Sequence, residues 1–287
     1  MRLASFLSDS GPSIAAKRDG HWCDISSTAT GLPRDMRTLL EMGAESLDRV
    51  RDAIDSAMEL PNSVRWLPPV TNPEKIICVG LNYADHAQET GAQAGDEPVI
   101  FNKFPSTLRA HGDPIVLPPQ SDQVDYEAEL VVVIGRTAKN VARDEALDYV
   151  AGYTCGHDVS ARDWQKGKPG KQWLLGKSFD SFAPCGPALV LTDEIPDPAN
   201  LAIQFRLNGE VLQNSSTSQL IFPVDYLVSY LSSVATLRPG DLLFTGTPAG
   251  VGMARNPPRF LQVGDRAEVE IEGIGVLSNQ VIAANPA

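Results

Sequence analysis

The chain has 287 residues, of which 43% are hydrophobic and 21% are charged, so it has enough apolar sequence to bury a large core. Its formal net charge of -12 at pH 7 argues against binding nucleic acid or an anionic membrane through general electrostatics. No apolar run approaches the roughly 18 residues of a membrane span, and no secretory signal is evident. The four cysteines are scattered, with no C-x-x-C pair, and predict reduced, buried thiols in a cytosolic protein.

The first 70 residues predict a small domain of their own. Two short runs around Asp19-Gly20 are typical of a β-hairpin with these two residues at its turn. Residues 60–75 contain four prolines without periodicity and predict a linker. This places the boundary near residue 70, between a domain at 1–70 and one at 71–287. Between the hairpin and the linker, apolar side chains are spaced as in one or two amphipathic helices, namely at Leu39, Leu40, Met42, Leu47, Val50, Ile54 and Met58.

Residues 71–287 are rich in predicted strands and poor in predicted helices. Short β-branched or alternating runs recur between Gly and Pro residues, and Asn208-Gly209 is typical of a two-residue hairpin turn. Helical patterns occur near 143–150, near 159–166 and in the run "PVDYLVSYLSSVATL". This balance predicts an α+β, mainly β domain with a curled or barrel-like mixed sheet, rather than a doubly wound parallel sheet.

Three carboxylates alternate along the predicted strand "VDYEAELVVVIG", at Asp125, Glu127 and Glu129. Every second side chain of a strand points to the same face, so these acids lie about 6.6 to 7 Å apart along one face and repel each other. The face is either fully solvated or holds a cation. The acid row alone favours solvation, because one face of most antiparallel sheets is wet.

Asp158 adds a distant carboxylate to the row. It follows an apolar stretch that predicts the end of a strand, where a side chain can point into a cleft. Two glutamates and one aspartate form an all-oxygen set, which suits Mg²⁺, Mn²⁺ or Ca²⁺ and disfavours structural zinc. Three carboxylates also leave coordination positions open for water and substrate, as a catalytic metal site requires.

Five ordered motifs resemble one known family. The motifs are "NYADHAQE", "YEAELVVVIG", "HDVSARDWQ", "GKSFDSFAPCGP" and "TGTPAGVG". Their order and spacing are similar to those of the fumarylacetoacetate hydrolase family, over roughly residues 73–282. The resemblance is to bacterial two-domain members that act as acylpyruvases, oxaloacetate decarboxylases or 2-hydroxyhepta-2,4-diene-1,7-dioate isomerases. It implies a mixed β-roll or barrel catalytic domain after a small N-terminal α/β domain.

The resemblance implies that Glu127, Glu129 and Asp158 hold a divalent cation, either Mg²⁺ or Mn²⁺, with Ca²⁺ as a further candidate. The acids are then aligned because a cation replaces their mutual repulsion with attraction. Asp125 lies on the same predicted face but does not match a ligand position. It is expected to be solvated or to lie just outside the ligands.

His86 and Glu89 share a face if their segment is helical. An isolated pair at this spacing is more often an exposed surface dyad. In the family, the matching pair activates water from a lid that closes over the metal, so the resemblance favours a catalytic role here. The Gly- and Ala-rich run at residues 89–98 is a candidate for the edge of this lid.

Four further residues match family positions near the substrate. Lys177, which could otherwise extend to water at a strand end, is implied to stabilise negative charge on the substrate. Arg162 and Gln165 lie four and seven residues after Asp158, a spacing that predicts all three side chains on one side of a helix turn. The resemblance implies that Arg162 and Gln165 contact polar groups of the substrate. Arg162 could instead pair with a neighbouring aspartate or with the acid row. Thr247, in a Gly-rich turn after a predicted strand, is implied to help hold the substrate carboxylate.

The resemblance implies a metal-dependent hydrolase that cleaves a C–C bond in an acylpyruvate-type substrate, through an enolate that the cation stabilises. The presence of both His86 and Glu89 favours this reaction, because a pure decarboxylase needs no activated water. The alternatives are a decarboxylase of oxaloacetate-like acids or an isomerase of 2-hydroxydienoates in aromatic catabolism. A different class of protein, non-catalytic with a structural Ca²⁺ site, would explain the acids but not His86, Glu89 and Lys177.

The resemblance also implies a homodimer that acts on a small oxo acid, with no nucleic acid and no membrane as partners. The apolar run "SQLIFPVDYL" is a candidate for the dimer interface, although core burial is the simpler explanation. The remaining histidines are expected to be structural or at the surface, namely His21, His111 and His157.

Overall fold

The structure is a computed structural model of the chain and describes residues 1–61, 63–91 and 95–284. Its strands are β1 (Arg2–Ser8), β2 (Gly11–Arg18), β3 (His21–Asp24), β4 (Met58–Glu59), β5 (Arg65–Leu67), β6 (Ile76–Gly80), β7 (Val99–Asn102), β8 (Leu108–Arg109), β9 (Ile115–Leu117), β10 (Val124–Asp125), β11 (Ala128–Ile134), β12 (Val150–His157), β13 (Ser160–Ala161), β14 (Ala183–Leu191), β15 (Ala202–Leu207), β16 (Glu210–Ser216), β17 (Leu242–Phe244), β18 (Arg266–Ile271) and β19 (Gly275–Ala283). Its α-helices are α1 (Ile25–Thr28), α2 (Met36–Glu41), α3 (Ala44–Ala53), α4 (Ala84–Thr90), α5 (Arg162–Gln165), α6 (Trp173–Lys177) and α7 (Val224–Val234). Single 3₁₀ segments lie at Ile54–Ser56, Pro105–Thr107, Arg143–Tyr149, Pro198–Asn200, Thr217–Gln219 and Gly252–Ala254.

The N-terminal segment begins with an antiparallel meander of β1, β2 and β3, and the predicted hairpin is confirmed between β2 and β3. Asp19 and Gly20 have positive φ angles of 50° and 88°, which suit a two-residue type I′ turn. The predicted helical stretch consists of two helices, α2 and α3, separated by Gly43. Met42 and Met58 do not lie on a buried face as predicted. Both are exposed, because Met42 follows the last residue of α2 and Met58 lies in the edge strand β4.

The stretch predicted as a linker includes β5, which pairs antiparallel with β1. Strand β1 pairs in turn with β14 of the larger predicted domain, at Leu3 and Leu189 among others. The N-terminal strands therefore extend the sheet of the larger domain. The domain boundary near residue 70 stays a prediction.

In the part of the chain that the structure describes, twelve strands form one mixed sheet in the order β4-β3-β2-β1-β14-β12-β11-β17-β6-β7, with β5 and β8 attached to β1 and β14. This sheet keeps two edges, β4 and β7, and does not close into a barrel. A second sheet of five described strands has the order β16-β15-β18-β19-β9. The predicted α+β, mainly β fold class is confirmed, and the Asn208-Gly209 turn joins β15 to β16 as expected.

Buried apolar side chains cover both faces of the large sheet, and β11 contributes to each face. Leu130 and Val132 belong to a core shared with the five-stranded sheet, which includes Phe205. Val131 and Val133 belong to a second core, shared with α2 and α3. Successive side chains of a strand point to opposite faces, so a strand buried on both faces needs a continuous apolar run. The alternating acids precede this run, at the end of β11 that leads to the functional site.

The helical predictions in the larger domain differ in detail from the structure. The pattern near 143–150 is the 3₁₀ segment Arg143–Tyr149, and α7 is confirmed. Asp158 does not share a helix turn with Arg162 and Gln165, because β13 separates it from the four-residue helix α5. All four cysteines are buried and free, as predicted. Across the described ranges, the helices are too short or too polar to traverse a bilayer.

Candidate active site

The predicted metal ligands meet where β11 and β12 pair. Glu129 lies in β11, Glu127 precedes that strand and Asp158 directly follows β12. The antiparallel register brings the Glu127 backbone opposite Asp158, whose N–H donates to the Glu127 carbonyl over 2.9 Å. All three side chains are buried, and each offers an oxygen within 4.8 Å of the others. The structure thus joins two alternating acids of the row to a carboxylate about 30 residues away; we call these three residues the acid triad.

Two cations neutralise Glu127. Lys177 Nζ lies 2.7 Å from Glu127 Oε2 and 2.8 Å from Asp158 Oδ2, and Arg162 Nη2 lies 2.6 Å from Glu127 Oε1. Burial by itself would raise the pKa of Glu127, but Lys177 and Arg162 outweigh it and hold this pKa below its usual range. Glu127 is therefore ionised at neutral pH, and Lys177 is held among carboxylates rather than at a strand end in water.

Glu129 has much less compensation for its charge. One oxygen accepts a hydrogen bond from the Gly246 N–H over 2.8 Å. Burial, together with the negative charges of Asp158 and Glu127, raises the pKa of Glu129 well above its usual range. Gly246 has a φ of +102°, and a Cβ on it would lie 2.8 Å from Asn82 Cβ, so glycine is required where this N–H approaches the carboxylate.

Lys103, which directly follows β7, is a buried cation that was not predicted from the sequence. Its ammonium donates to the carbonyls of Val159, Lys177 and Phe182, and lies 2.6 Å from Asp158 Oδ1. An ammonium has three N–H donors, so Lys103 faces this carboxylate mainly as a charge. The stretch "VIFNKFPS" gave no signal for this role, because a lysine at a strand end usually extends to water.

The acid triad fits a hard divalent cation. Its donors are three carboxylates, which Mg²⁺, Mn²⁺ and Ca²⁺ all accept. Glu129 is buried and carries the unfavourable charge described above, with one backbone N–H as its donor. A cation among the three carboxylates would compensate that charge.

Asp125 is completely buried, so of its two expected positions the solvated one is wrong and the one just outside the ligands is confirmed. It accepts hydrogen bonds from the N–H groups of Gly252 and Met253 and from Arg162 Nε, over 2.7 to 3.0 Å. Arg162 in turn contacts Glu127, which places Asp125 one contact away from the acid triad. The alternative in which Arg162 pairs with the acid row is the one the structure adopts.

Arg162, Gln165 and Lys177 are brought together by two short helices. Arg162 Nη1 donates to Gln165 Oε1 over 2.9 Å within α5. Helix α6 packs so closely against α5 that a Cβ on Gly176 would lie only 2.6 Å from the Gln165 backbone nitrogen. This close approach sets Lys177 beside Arg162, so that both cations reach the same carboxylate of Glu127.

Helix α4 presents the predicted His86–Glu89 pair. His86 Nδ1 lies 3.3 Å from Glu89 Oε2, and the other Glu89 oxygen accepts from the Gly250 N–H over 2.9 Å. Glu89 accepts from Nδ1–H in this arrangement, which leaves Nε2 of a neutral imidazole able to accept a proton. The run predicted as a lid edge includes residues 92–94, which lie outside the described residues.

The Gly-rich turn after β17 binds carboxylates of the protein itself. N–H groups of Gly246, Gly250 and Gly252 donate to Glu129, Glu89 and Asp125 respectively. This turn was predicted to present N–H groups to an anion, and the anions that these three N–H groups contact are carboxylates of the protein itself. Thr247, in the middle of the turn, accepts a hydrogen bond at Oγ1 from Gln213 Nε2 over 2.8 Å.

These groups border one cavity of about 200 Å³. Its polar lining includes the predicted residues His86, Glu127, Glu129, Arg162, Gln165, Lys177 and Thr247, and it also includes Lys166. Apolar walls come from Val79, Leu81, Phe101, Trp173 and Met253. Glu89 and Asp158 adjoin the cavity through the His86 and Lys177 contacts given above. The cavity therefore brings together acids of the triad, a histidine–carboxylate pair and a lysine.

The other histidines lie outside this lining, in agreement with their expected structural or surface positions. His157 is buried against the Phe205 ring, and burial, with the charge of Lys103 adding to it, lowers its pKa to about 3. His111 accepts from the Ser278 N–H at Nδ1 over 3.1 Å, and burial followed by the charge of Arg266 lowers its pKa. His21 is exposed.

Comparison with known proteins gives the same family throughout. Residues 75–282 match the family described as "Fumarylacetoacetate (FAA) hydrolase C-terminal". The mitochondrial oxaloacetate tautomerase fahd2 of Xenopus laevis is 48% identical over 98% of this chain and 90% of its own length. A fumarylacetoacetate hydrolase from Exiguobacterium antarcticum matches with a TM-score of 0.89 and 38% identity, over 99% of this chain and all of that one.

A further solved structure bears on the cation. The maleylpyruvate hydrolase of Sphingobium sp. SYK-6, in complex with manganese(II) and pyruvate, matches with a TM-score of 0.83 and 29% identity, over 99% of this chain and all of that one. The acid triad of this chain is compatible with a divalent metal on its own geometry. The family match covers more than half of the chain, and the sequence relatives cover nearly all of it. This chain belongs to the fumarylacetoacetate hydrolase family of enzymes.

Proposed function

We propose that this protein is a divalent-metal-dependent enzyme that interconverts the keto and enol forms of oxaloacetate or of a closely similar 2-oxo acid. One observation carries the proposal: Glu127 and Glu129 of the acid triad line the same small cavity as His86, and Lys177 links Glu127 to Asp158 beside it. Support for oxaloacetate comes from relatives that are 45–48% identical over 98% of the chain and are named oxaloacetate tautomerases.

Glu127, Glu129 and Asp158 would hold the cation, which would act as a Lewis acid on the carbonyl and carboxylate of a 2-oxo acid. His86 Nε2 would take the proton from C3 of the keto form, while Glu89 stabilises the imidazolium that forms. Lys177 would donate a hydrogen bond to the oxygen that becomes negative. Return of the proton from His86 to that oxygen gives the enol, and the reverse sequence gives the ketone, so no water is consumed.

The second candidate is hydrolysis of an acylpyruvate. The His86–Glu89 pair favours it, because the same imidazole could take a proton from water instead of from carbon. A hydrolase of maleylpyruvate is among the structural neighbours, at 29% identity, and supports this candidate less strongly than the oxaloacetate relatives support the first. Decarboxylation of oxaloacetate and isomerisation of hydroxydienoates use the same acids and stay alternatives.

The test is to follow enol and keto oxaloacetate by ultraviolet absorbance, with Mg²⁺ or Mn²⁺ and again with EDTA, and to analyse the products. Enzyme-dependent interconversion that requires the metal and releases neither CO₂ nor pyruvate is the expected result. Acetylpyruvate and fumarylpyruvate are run in parallel. Pyruvate and a carboxylic acid from either, without faster oxaloacetate interconversion, would instead establish the hydrolase. If no substrate is converted with either metal, both candidates are wrong, and isomerisation of a 2-hydroxydienoate is tested before the structural-Ca²⁺ alternative is accepted.

The cellular location and the homodimer stay predictions. Relatives that are 47–48% identical are mitochondrial proteins by name, whereas the sequence alone led to a cytoplasmic expectation. Size-exclusion chromatography with light scattering tests the homodimer directly.

A further inference from the structure

The charges around the acid triad leave room for one substrate carboxylate. Its buried surroundings contain four carboxylates and three cations, namely Asp125, Glu127, Glu129 and Asp158 against Lys103, Arg162 and Lys177. A divalent ion leaves this buried cluster with one net positive charge. The 2-oxo carboxylate of a substrate brings one negative charge and balances it, so a second carboxylate would need another cation.

Arg162 and Lys177 already pair with carboxylates of this cluster, so their charges are included in that sum. Arg162 uses Nε, Nη1 and Nη2 on Asp125, Gln165 and Glu127, over 2.6 to 2.9 Å. Lys177 Nζ is engaged by two carboxylates of the acid triad. Moving either cation toward a ligand would expose a buried carboxylate without compensation, which is costly in a low dielectric.

Lys166 is the remaining cation of the cavity lining and makes no ion pair with any carboxylate in the described ranges. It directly follows α5, and its N–H donates to the Arg162 carbonyl over 2.9 Å, which fixes its backbone beside the site. Together with Arg162 and Met253 it also lines a neighbouring opening, so it lies at the mouth of the cavity. Burial and the charge of Arg162 lower the pKa of Lys166, and Glu127 and Asp125 also act on it, in agreement with a position close to the site.

From this arrangement we infer that Lys166 binds the distal carboxylate of the substrate, and that the cavity therefore selects 2-oxo dicarboxylates over 2-oxo monocarboxylates. The inference rests on the proposed function for the end of the substrate that faces the acid triad. It assigns the other end, the C4 carboxylate in oxaloacetate, to a single lysine. Because Lys166 is partly hydrated, its contribution is that of one exposed charge-assisted hydrogen bond rather than of a buried ion pair.

The test uses two unreactive ligands, malate and 2-hydroxybutyrate. Both are four-carbon 2-hydroxy acids, and they differ in that malate has a second carboxylate where 2-hydroxybutyrate has a methyl group. Dissociation constants are measured by calorimetry with Mg²⁺ for the wild type, Lys166→Gln, Lys166→Arg and Lys168→Gln. Lys168 is the matched control, because it lies in the same exposed loop over the Trp164 ring but does not line the cavity.

We expect the wild type to bind malate about tenfold more tightly than 2-hydroxybutyrate, the effect of about one charged hydrogen bond. Lys166→Gln should remove most of this preference, whereas Lys166→Arg and Lys168→Gln should keep it. A preference that survives in Lys166→Gln, or a wild type that binds both acids equally, overturns the inference. An equal loss for both acids in Lys166→Gln also overturns it, since that loss indicates a structural role.

Failure of the proposed function is a separate result. If the oxaloacetate assay shows no conversion but the malate preference still depends on Lys166, the reaction is wrong and the assignment of the dicarboxylate end stands. If oxaloacetate is converted and the preference does not depend on Lys166, the reaction stands and the assignment is wrong.

Discussion

The buried acid triad and the His86–Glu89 pair border the same cavity and are built in opposite ways. The acid triad lies where the central strands β11 and β12 pair, is at most 6% exposed, and has cations 2.6 to 2.8 Å from two of its members, Glu127 and Asp158. The pair lies on the seven-residue helix α4, its contact is 3.3 Å long, and the side chain of Glu89 is 24% exposed.

The difference agrees with the roles proposed for the two groups. Carboxylates in a low dielectric repel strongly unless cations are held beside them, so the acid triad needs a rigid sheet and several fixed charges. A base that takes and returns protons must reach the substrate and change its charge, which a side chain with a partly exposed partner can do. Loss of the surrounding cations should therefore appear first in stability, loss of an acid of the triad first in metal binding, and damage to the pair first in turnover.

The largest effect is expected for Lys103→Met, which removes the cation beside Asp158 and leaves three buried carbonyls without their donor. We expect a loss of about 3–5 kcal/mol in the free energy of unfolding, as for other broken buried pairs. Urea denaturation measures it. The exposed Lys168→Met is the control and should cost at most about 1 kcal/mol. Equal stability of the two variants would contradict the role of Lys103 in stabilising the buried acid triad.

The second prediction concerns His86→Ala on α4. Turnover of the substrate identified above should fall by about 100-fold or more, the usual contribution of a general base. The affinity for Mg²⁺ and the midpoint of urea denaturation should stay close to those of the wild type. His21→Ala, at an exposed histidine, is the control and should leave turnover unchanged. Full activity in His86→Ala would remove the pair from the mechanism.

A third prediction separates backbone strain from the contact at Glu129. Gly246→Ala places a Cβ at a φ of +102° and 2.8 Å from Asn82 Cβ, whereas Gly264→Ala meets a φ of +96° with open space around it. Both variants should lose stability through the positive φ, about 1–2 kcal/mol. Only Gly246→Ala should also weaken Mg²⁺ binding, because it displaces the N–H that orients Glu129. Equal metal affinities in the two variants would contradict this role.

The smallest effect concerns pH and a histidine outside both regions. Burial lowers the pKa of His111 in the folded state, so the unfolded chain takes up the proton first and stability falls as the pH drops through and below about 6.5. His111→Asn places an amide oxygen at the position of Nδ1 as an acceptor for the Ser278 N–H but does not titrate. Between pH 7.5 and 5.5 the wild type should lose up to about 1 kcal/mol more than this variant, within the linkage limit of one proton. If the wild type and the variant lose the same free energy of unfolding between the two pH values, His111 does not contribute to the pH dependence.

Much of the site could be predicted because its chemistry is local in the sequence. Alternating acids on one strand and an H-x-x-E spacing on a helix leave patterns in the letters, and five ordered motifs identify the family. Local turns were also accessible, since Asp19-Gly20 and Asn208-Gly209 have a conformational reason to form hairpins. The two helices after the first hairpin followed from apolar spacing alone.

The features that were missed depend on contacts between distant residues. Lys103 is important because Val159, Lys177 and Phe182 direct carbonyls at it, and no spacing in the sequence predicts that convergence. The burial of Asp125 likewise depends on a turn more than 120 residues away. The exposure of Met42 could not be seen either, because apolar spacing does not show where a helix ends.

The central claim is that Glu127, Glu129 and Asp158 hold a divalent cation, and the most direct measurement is calorimetric titration of Mg²⁺ and Mn²⁺ into EDTA-treated, dialysed protein. Wild type is compared with Glu129→Gln, which keeps an acceptor for the Gly246 N–H but removes the charge. We expect one site per chain in the wild type and at least a 10-fold weaker affinity in the variant. The metal-free variant should be as stable as the metal-free wild type or slightly more stable, because the substitution relieves the repulsion at Glu129. Equal affinity in both proteins, or no binding to the wild type, would contradict the assignment of the acid triad.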